Sequence, residues 1–411
     1  MSWVTADHPT ADELDSCVQC GLCLPVCPTF RLTGRETASP RGRLHAMSAV
    51  DQGIVSVDEK FAEIIDFCLG CRACEPVCPG LVPYGRVLEG ARAEIVSQVP
   101  GRRRQNKWLL DSAIPSRSLM RLGADLLSIA QTLRLTGLAP KKFERVIGGA
   151  RRLRGRPKSS LGHTGGSGEA GSVGLLSGCI QDQWFRPVNR AAIGLLEMAG
   201  HRVEVPKQQT CCGALAAHDG RAEVAHRLAA TNVDAFNSFD MIVATAAGCS
   251  AHMAGYGHWD DKGADVGSAA VDVTVAIARA LAEGRLPELA EPRGKIAIQD
   301  PCHLRHGQGV IAEPRRILEA AGYEVVETDE VGFCCGAAGL YTTLQPEASS
   351  QLGNQKADQI RSTGVSRVAS ANPGCEMQIR SYLEDDYEIA HPIEWYMTAL
   401  MEERERGAAN G

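Results

Sequence analysis

The feature that most constrains this chain is a run of cysteines that occurs twice near its start. The first copy is Cys17-Val18-Gln19-Cys20-Gly21-Leu22-Cys23, closed by Cys27-Pro28, and the second is Cys68-Leu69-Gly70-Cys71-Arg72-Ala73-Cys74, closed by Cys78-Pro79. Each reads C-x2-C-x2-C-x3-C-P, the spacing that wraps a cubane iron–sulfur cluster in two-cluster ferredoxins. Three sulfurs converge from one tight loop, while the Pro after the fourth turns the chain so that this sulfur reaches across. The expected ligand sets are therefore crossed: Cys17, Cys20, Cys23 and Cys78 for one [4Fe–4S] cluster, and Cys68, Cys71, Cys74 and Cys27 for the other. Zinc knuckles use C-x2-C pairs and have no need of a third Cys two residues on. A disulfide framework needs an oxidising compartment and usually a small secreted domain.

At 411 residues the chain has room for two or three domains. The segment Met1-Ser2-Trp3-Val4-Thr5 lacks the basic and apolar regions of a signal peptide. No stretch of about 18 apolar residues suggests a membrane span. Together with 16 Cys this leads us to expect a cytoplasmic protein doing metal or redox work. The net charge of −6 conceals an asymmetry, because residues 101–160 carry 15 Lys and Arg against 3 Asp and Glu. That block includes Arg102-Arg103-Arg104, Lys141-Lys142, Arg151-Arg152 and Arg154. It reads either as a docking surface for an acidic partner or an anionic membrane face, or as a solvated helical connector. Nucleic acid is not expected as a partner: the aromatic residues in the block are Trp108 and Phe143, with no reading motif beside them.

Residues 1–100 read as the ferredoxin-type domain. Thr10 and Glu13 form a helix-start signal, and Pro40-Arg41-Gly42-Arg43 opens a helical stretch to about Asp51. Its two Arg would either raise a cluster potential by charge or clamp the two halves of the domain. Residues 101–172 read as a basic helical connector, with apolar positions at Leu109, Leu110, Leu119, Leu122, Leu126 and Leu127, followed by a Gly/Ser linker. Gly166, Gly168 and Gly171 match G-x-G-x-x-G, but a linker precedes them and a strand follows, so no dinucleotide site is expected.

From Val173 the chain repeats itself at an offset of 123 residues, giving units at 173–290 and 291–411. Each unit alternates short strands with helices, which favours α/β layers with mostly parallel sheets. The fold class expected is thus a helical two-cluster domain followed by two repeated α/β domains. Cys179 and Cys302, then Cys249 and Cys375, fall where strands are expected to end, the edge at which ligands gather. Between them lie Cys211-Cys212-Gly213 and Cys334-Cys335-Gly336, where Gly lets the backbone turn close to a bulky ligand faced by two thiolates. Buried free Cys are common apolar fillers, but two matched sets point to metal or redox use.

These residues resemble the cysteine-rich CCG-domain family joined to a two-cluster ferredoxin domain. The arrangement is similar to the iron–sulfur subunits of glycolate oxidases. It is also similar to those of anaerobic glycerol-3-phosphate dehydrogenases and lactate-utilisation complexes. The landmarks are the doubled run, Pro40-Arg41-Gly42-Arg43, Gly178-Cys179, Cys211-Cys212-Gly213-Ala214, Thr245-Ala246-Ala247-Gly248-Cys249 and Cys334-Cys335-Gly336. The resemblance implies electron transfer from FAD-linked partner subunits, which oxidise glycolate to glyoxylate, towards a quinone or another acceptor at a membrane face. It assigns no substrate chemistry to this chain, and a further iron–sulfur cluster in the CCG repeats is compatible with it. One departure stands out: the wider CCG pattern ends in C-x2-C, whereas Cys249 is followed by Ser250-Ala251-His252 and Cys375 by Glu376-Met377-Gln378. Heterodisulfide-reductase-like disulfide chemistry, which uses five Cys, is the alternative that this departure weakens. His252 could replace the missing ligand, although such a His is more often an ordinary polar residue.

Overall fold

The structure, a computed structural model, describes residues 3–138, 147–329 and 331–410. Lys141, Lys142 and Phe143 of the basic block lie outside the described residues. The cysteine-rich N-terminal part is helical: α1 (Ala11–Asp15), α2 (Pro28–Thr33), α3 (Pro40–Asp51), α4 (Glu59–Asp66) and α5 (Tyr84–Gln98). Thr10 and Glu13 close the expected capping box on α1, with the Glu13 amide 3.3 Å from Thr10 Oγ1 and the Thr10 amide 2.9 Å from Glu13 Oε2. Ser39 caps α3 through the Gly42 amide at 2.9 Å. Gly42 is required there because a Cβ would collide with the Glu36 carbonyl oxygen. The helices bury one shared apolar cluster that includes Met47, Val50, Phe61, Ile65, Val87 and Ile95.

The remainder forms two sheets. The first has the order β1-β3-β2-β4-β5, from β1 (Thr164–Gly165), β2 (Ser172–Leu176), β3 (Arg202–Glu204), β4 (Met241–Ala244) and β5 (Ala270–Asp272). The second has the order β7-β6-β8-β9, from β6 (Lys295–Gln299), β7 (Glu324–Glu327), β8 (Arg367–Ser370) and β9 (Glu388–Ala390). All pairings are parallel except β1 with β3. The order 3-2-4-5 in one sheet and 7-6-8-9 in the other is the same path traced twice, so the sequence repeat is a repeat of topology. Helices Arg186–Met198, Val273–Ala282, Ala312–Ala320 and Pro392–Asn410 pack between the units, where Leu195, Ile277, Ile317 and Tyr396 share one core with strands of both sheets. Helices that cover the sheet faces explain why β2 and β6 read as continuous apolar runs.

Two local expectations change. The Gly-rich stretch is no free linker: Thr164 and Gly165 pair antiparallel with Glu204 and Val203. At Gly166, φ +89, a side chain would collide with the His201 carbonyl oxygen, so glycine serves close backbone approach. Cys249 and Cys375 do not end strands. They lie in the first turns of helices Ala247–Ala254 and Pro373–Arg380, after strands that stop at Ala244 and Ser370.

The basic connector is neither purely solvated nor purely a docking face, because several of its Arg point inward. Arg103, 6% exposed, bridges Asp66 on α4 to Asp219 of the first CCG unit, with Nη1 2.7 Å from Asp219 Oδ1 and Nε 3.0 Å from Asp66 Oδ1. Arg151 joins Glu376 at 2.6 Å and Glu394 at 2.8 Å. Among the described residues, no helix is long and apolar enough to cross a membrane. Removing one partner of a buried pair strands the others, so Arg103→Leu is expected to lower stability by about 3–5 kcal/mol, read as a drop in the denaturant midpoint. The triple variant that also replaces Asp66 and Asp219 with Leu is expected to recover part of that loss. An unchanged midpoint in Arg103→Leu would contradict a clamp.

Candidate functional site

The two N-terminal cysteine loops share a backbone device. Gln19 and Gly21, at φ 54 and 83, flank Cys20, and Gly70 and Arg72, at φ 66 and 61, flank Cys71. Left-handed residues on both sides of the central Cys curl each loop inward, a strained conformation for Gln19 and Arg72 that marks a functional turn. Cys17, Cys20, Cys23 and Cys78 line one cavity, which Cys74 also borders. Cys20 is exposed on it, whereas Cys27, Cys68, Cys71 and Cys74 are all buried. Those four are electrostatic neighbours: burial pushes the Cys71 and Cys74 thiols well up, and Cys27 and Cys68 add to both shifts. The structure thus brings together the two crossed groups, one near the surface and one inside.

Several groups surround the inner set. The Gly70 amide lies 3.4 Å and the Tyr84 hydroxyl 3.8 Å from Cys68 Sγ. Donors of this kind to sulfur tune a cluster's potential. Arg43 is fully buried; Nε donates to the Ile64 carbonyl at 2.9 Å and Nη2 to Thr29 Oγ1 at 3.1 Å, while Nη1 has no partner. Burial works against its charge, yet Cys68, Tyr84 and Cys27 hold it above its ordinary range. Arg43 therefore clamps α2 to α4 and also places a cation beside the inner sulfurs. Arg41 is the surface partner, held by Glu36 at 2.8 Å and the Gln19 carbonyl at 3.1 Å.

In the first CCG unit Cys211 Sγ lies 3.3 Å from Cys179 Sγ, and Cys212 Sγ 3.2 Å from Cys249 Sγ, so all four predicted residues meet. Contact with Cys179 and Cys212 drives Cys211 well down. In the second unit Cys334 and Cys375 do the same to Cys335, and Cys334 does it to Cys302, so the matching four also meet. This second set abuts the inner N-terminal group: Cys71 and Leu69 pack with Cys334 and Cys302, and Tyr341 donates to the Phe67 carbonyl at 3.2 Å. All sixteen Cys are free thiols.

A half-buried polar node joins the sets. His218 Nδ1 lies 2.6 Å from Glu89 Oε1, and its ring centroid stands 5.1 Å from that of His303 and 6.4 Å from that of His252. Burial pulls His252 down to about 4. Sequence reasoning missed His218, His303 and Glu89. His303 carried a signal in its position next to Cys302, but Glu89 is one acid among many on a helix and carried none.

The N-terminal cysteines fall within a match of residues 13–82 to the 4Fe-4S dicluster domain, and residues 173–254 and 296–380 each match the cysteine-rich CCG domain. The chain is 32% identical to the probable glycolate oxidase iron–sulfur subunit of Bacillus subtilis, over 90% of this chain and 89% of that one. The chain belongs to the family of glycolate oxidase iron–sulfur subunits. A second member, the glycolate oxidase iron–sulfur subunit of Escherichia coli, is 30% identical over 90% of each chain. The likeness extends to a subunit of the fumarate reductase (CoM/CoB) of Methanothermobacter marburgensis, 27% identical over 92% of this chain and 70% of that one. In this family the cofactors are iron–sulfur clusters, and the chain works as a subunit of an oxidoreductase complex with partner subunits.

The residues fit the cofactor: eight free thiols in two converging groups, a buried unpaired guanidinium nitrogen, and the Gly70 N–H and Tyr84 hydroxyl aimed at Cys68 sulfur. Arg43→Met is expected to lower the midpoint potential of the inner cluster, because a buried positive charge favours the more negative reduced state, while Arg43→Lys retains most of it. An EPR-monitored redox titration reads the shift, and equal potentials in Arg43→Met and the parent would contradict the electrostatic role.

Proposed function

We propose that this chain carries electrons for a 2-hydroxyacid oxidase whose FAD-linked partner subunits oxidise glycolate. The partner reaction releases two electrons and two protons as glycolate becomes glyoxylate. Bound by Cys17, Cys20, Cys23 and Cys78, and by Cys68, Cys71, Cys74 and Cys27, two [4Fe–4S] clusters supply one-electron transfer. The observation that carries this reading is the graded burial of the two thiol groups: Cys20 opens the outer one to a docking partner, and Cys71 seats the inner one against Cys302 and Cys334. The CCG thiols Cys179, Cys211, Cys212 and Cys249, with Cys302, Cys334, Cys335 and Cys375, would extend the path. The chain's own work is to exclude water, donate hydrogen bonds to sulfur and fix the separation of the sites.

The helix Arg117–Thr132 supports a location at a membrane face, where a quinone would accept electrons. Leu119, Leu122, Leu126 and Ile129 follow one helical stripe and stand 40, 54, 57 and 55% exposed. Arg121 lies on the same helix, and the block around it is basic, a pattern suited to anionic lipid. Leu122→Asp combined with Leu126→Asp is expected to abolish co-sedimentation with anionic vesicles and to leave iron content unchanged. Undiminished sedimentation would contradict this placement.

The reading is tested by mixing the anaerobic chain with its flavoprotein partners and substrate. Glycolate is expected to bleach the visible iron–sulfur absorbance faster than D-lactate does. No bleaching with glycolate would remove the proposed substrate, and faster bleaching with D-lactate would reassign it.

A further inference from the structure

His252 stands one turn beyond Cys249 on helix Ala247–Ala254, so the two side chains share a face. The residue is 6% exposed, and its Nε2 has no hydrogen-bond partner. A buried ring nitrogen without a partner is costly to keep and calls for a reason. Nε2 lies against the turn that presents the paired thiols: a Cβ on Gly213, φ +97, would come 3.1 Å from it. The second unit places Gln378 equivalently, three residues after Cys375 and against Gly336, where a Cβ would come 3.4 Å from Gln378 Nε2. There the amide is already used, donating to the Ser349 carbonyl at 3.3 Å and its hydroxyl at 3.1 Å. One position in two copies of one fold thus holds a satisfied amide in one unit and an orphaned imidazole nitrogen in the other.

We propose that His252 Nε2 is an iron ligand, so that the first CCG unit holds an iron–sulfur group with Cys179, Cys211, Cys212, Cys249 and His252. The second unit relies on thiolates alone. The inference rests on the reading that the CCG units bind such a group. Imidazole in place of thiolate raises a cluster's potential, as it does in Rieske centres. Electrons arriving through Cys71 and Cys302 would therefore fall from the second unit to the first. Of the nearby imidazoles, His218 bonds Glu89 through Nδ1, and His303 uses Nδ1 on Cys302 Sγ at 3.6 Å. The His303 Nε2 also has no partner, but that ring stands beside Cys302 of the second unit, not against the Gly213 turn.

The test uses the full chain, purified anaerobically with and without 15N-labelled histidine, by iron analysis and pulsed EPR of its paramagnetic state. Iron above about eight atoms per chain is expected, since two [4Fe–4S] clusters account for eight. A strongly coupled nitrogen that responds to the label is also expected. The coupling is expected to vanish in His252→Cys and His252→Asn, with iron retained in the first, and to persist in His218→Gln and His303→Gln. Iron above about eight with no imidazole coupling, or with coupling that survives in either His252 variant, would overturn the ligand role and leave the cluster reading standing. Iron of about eight would overturn both.

Discussion

Sulfur that binds metal is anionic, and an anion buried without compensation is expensive. The inner thiols sit within reach of that cost and of its remedy. Arg43 gives up one guanidinium nitrogen to no partner at all while standing among Cys27, Cys68 and Tyr84. Arg92 lies a layer further out, donating to the Cys68 carbonyl at 2.6 Å and the His218 carbonyl at 2.7 Å. Of these two cations, Arg43 clamps the ferredoxin-type domain internally, whereas Arg92 also fastens it to the first CCG unit. Cofactor electrostatics and domain assembly thus meet at Arg92.

The duplicated units show how a repeat can diverge where its chemistry differs. Their strand order is the same, their Cys-Cys-Gly turns both use a left-handed Gly, and their last Cys both ride the first turn of a helix. They differ in surroundings. The second set packs on the inner N-terminal group, whereas the first opens to a cavity bordered by Arg117 and Met120 of the connector. Duplication therefore supplies two similar sites in series, and position in the assembly gives them unequal neighbours.

Much of this was legible in the sequence because it is local. Cluster-loop spacing, the capping box at Thr10 and the helix that Pro40 opens are each set by residues within a few positions of one another. The error over Cys249 has a physical source: Thr245-Ala246-Ala247-Gly248 carries no periodicity that separates a strand end from a helix start. The Arg of the connector were misread for another reason. Their acidic partners, Asp66, Asp219, Glu376 and Glu394, are remote in sequence, so a stretch that reads as a charged surface is in part a row of buried clamps. His252 illustrates the limit of pattern alone. Its type suggested an ordinary polar residue, and what distinguishes it is an unsatisfied buried nitrogen set against the Gly213 turn of the paired thiols.

The central claim is that two crossed groups of four thiols hold two clusters close enough to act as one conductor. EPR of the fully reduced chain tests it most directly, since adjacent reduced clusters split each other's lines. The account predicts a spin-coupled spectrum whose splitting between the inner and outer clusters is lost in Cys20→Ala, where the outer cluster loses a ligand. Two independent signals with no coupling, or a colourless protein that carries zinc, would contradict it.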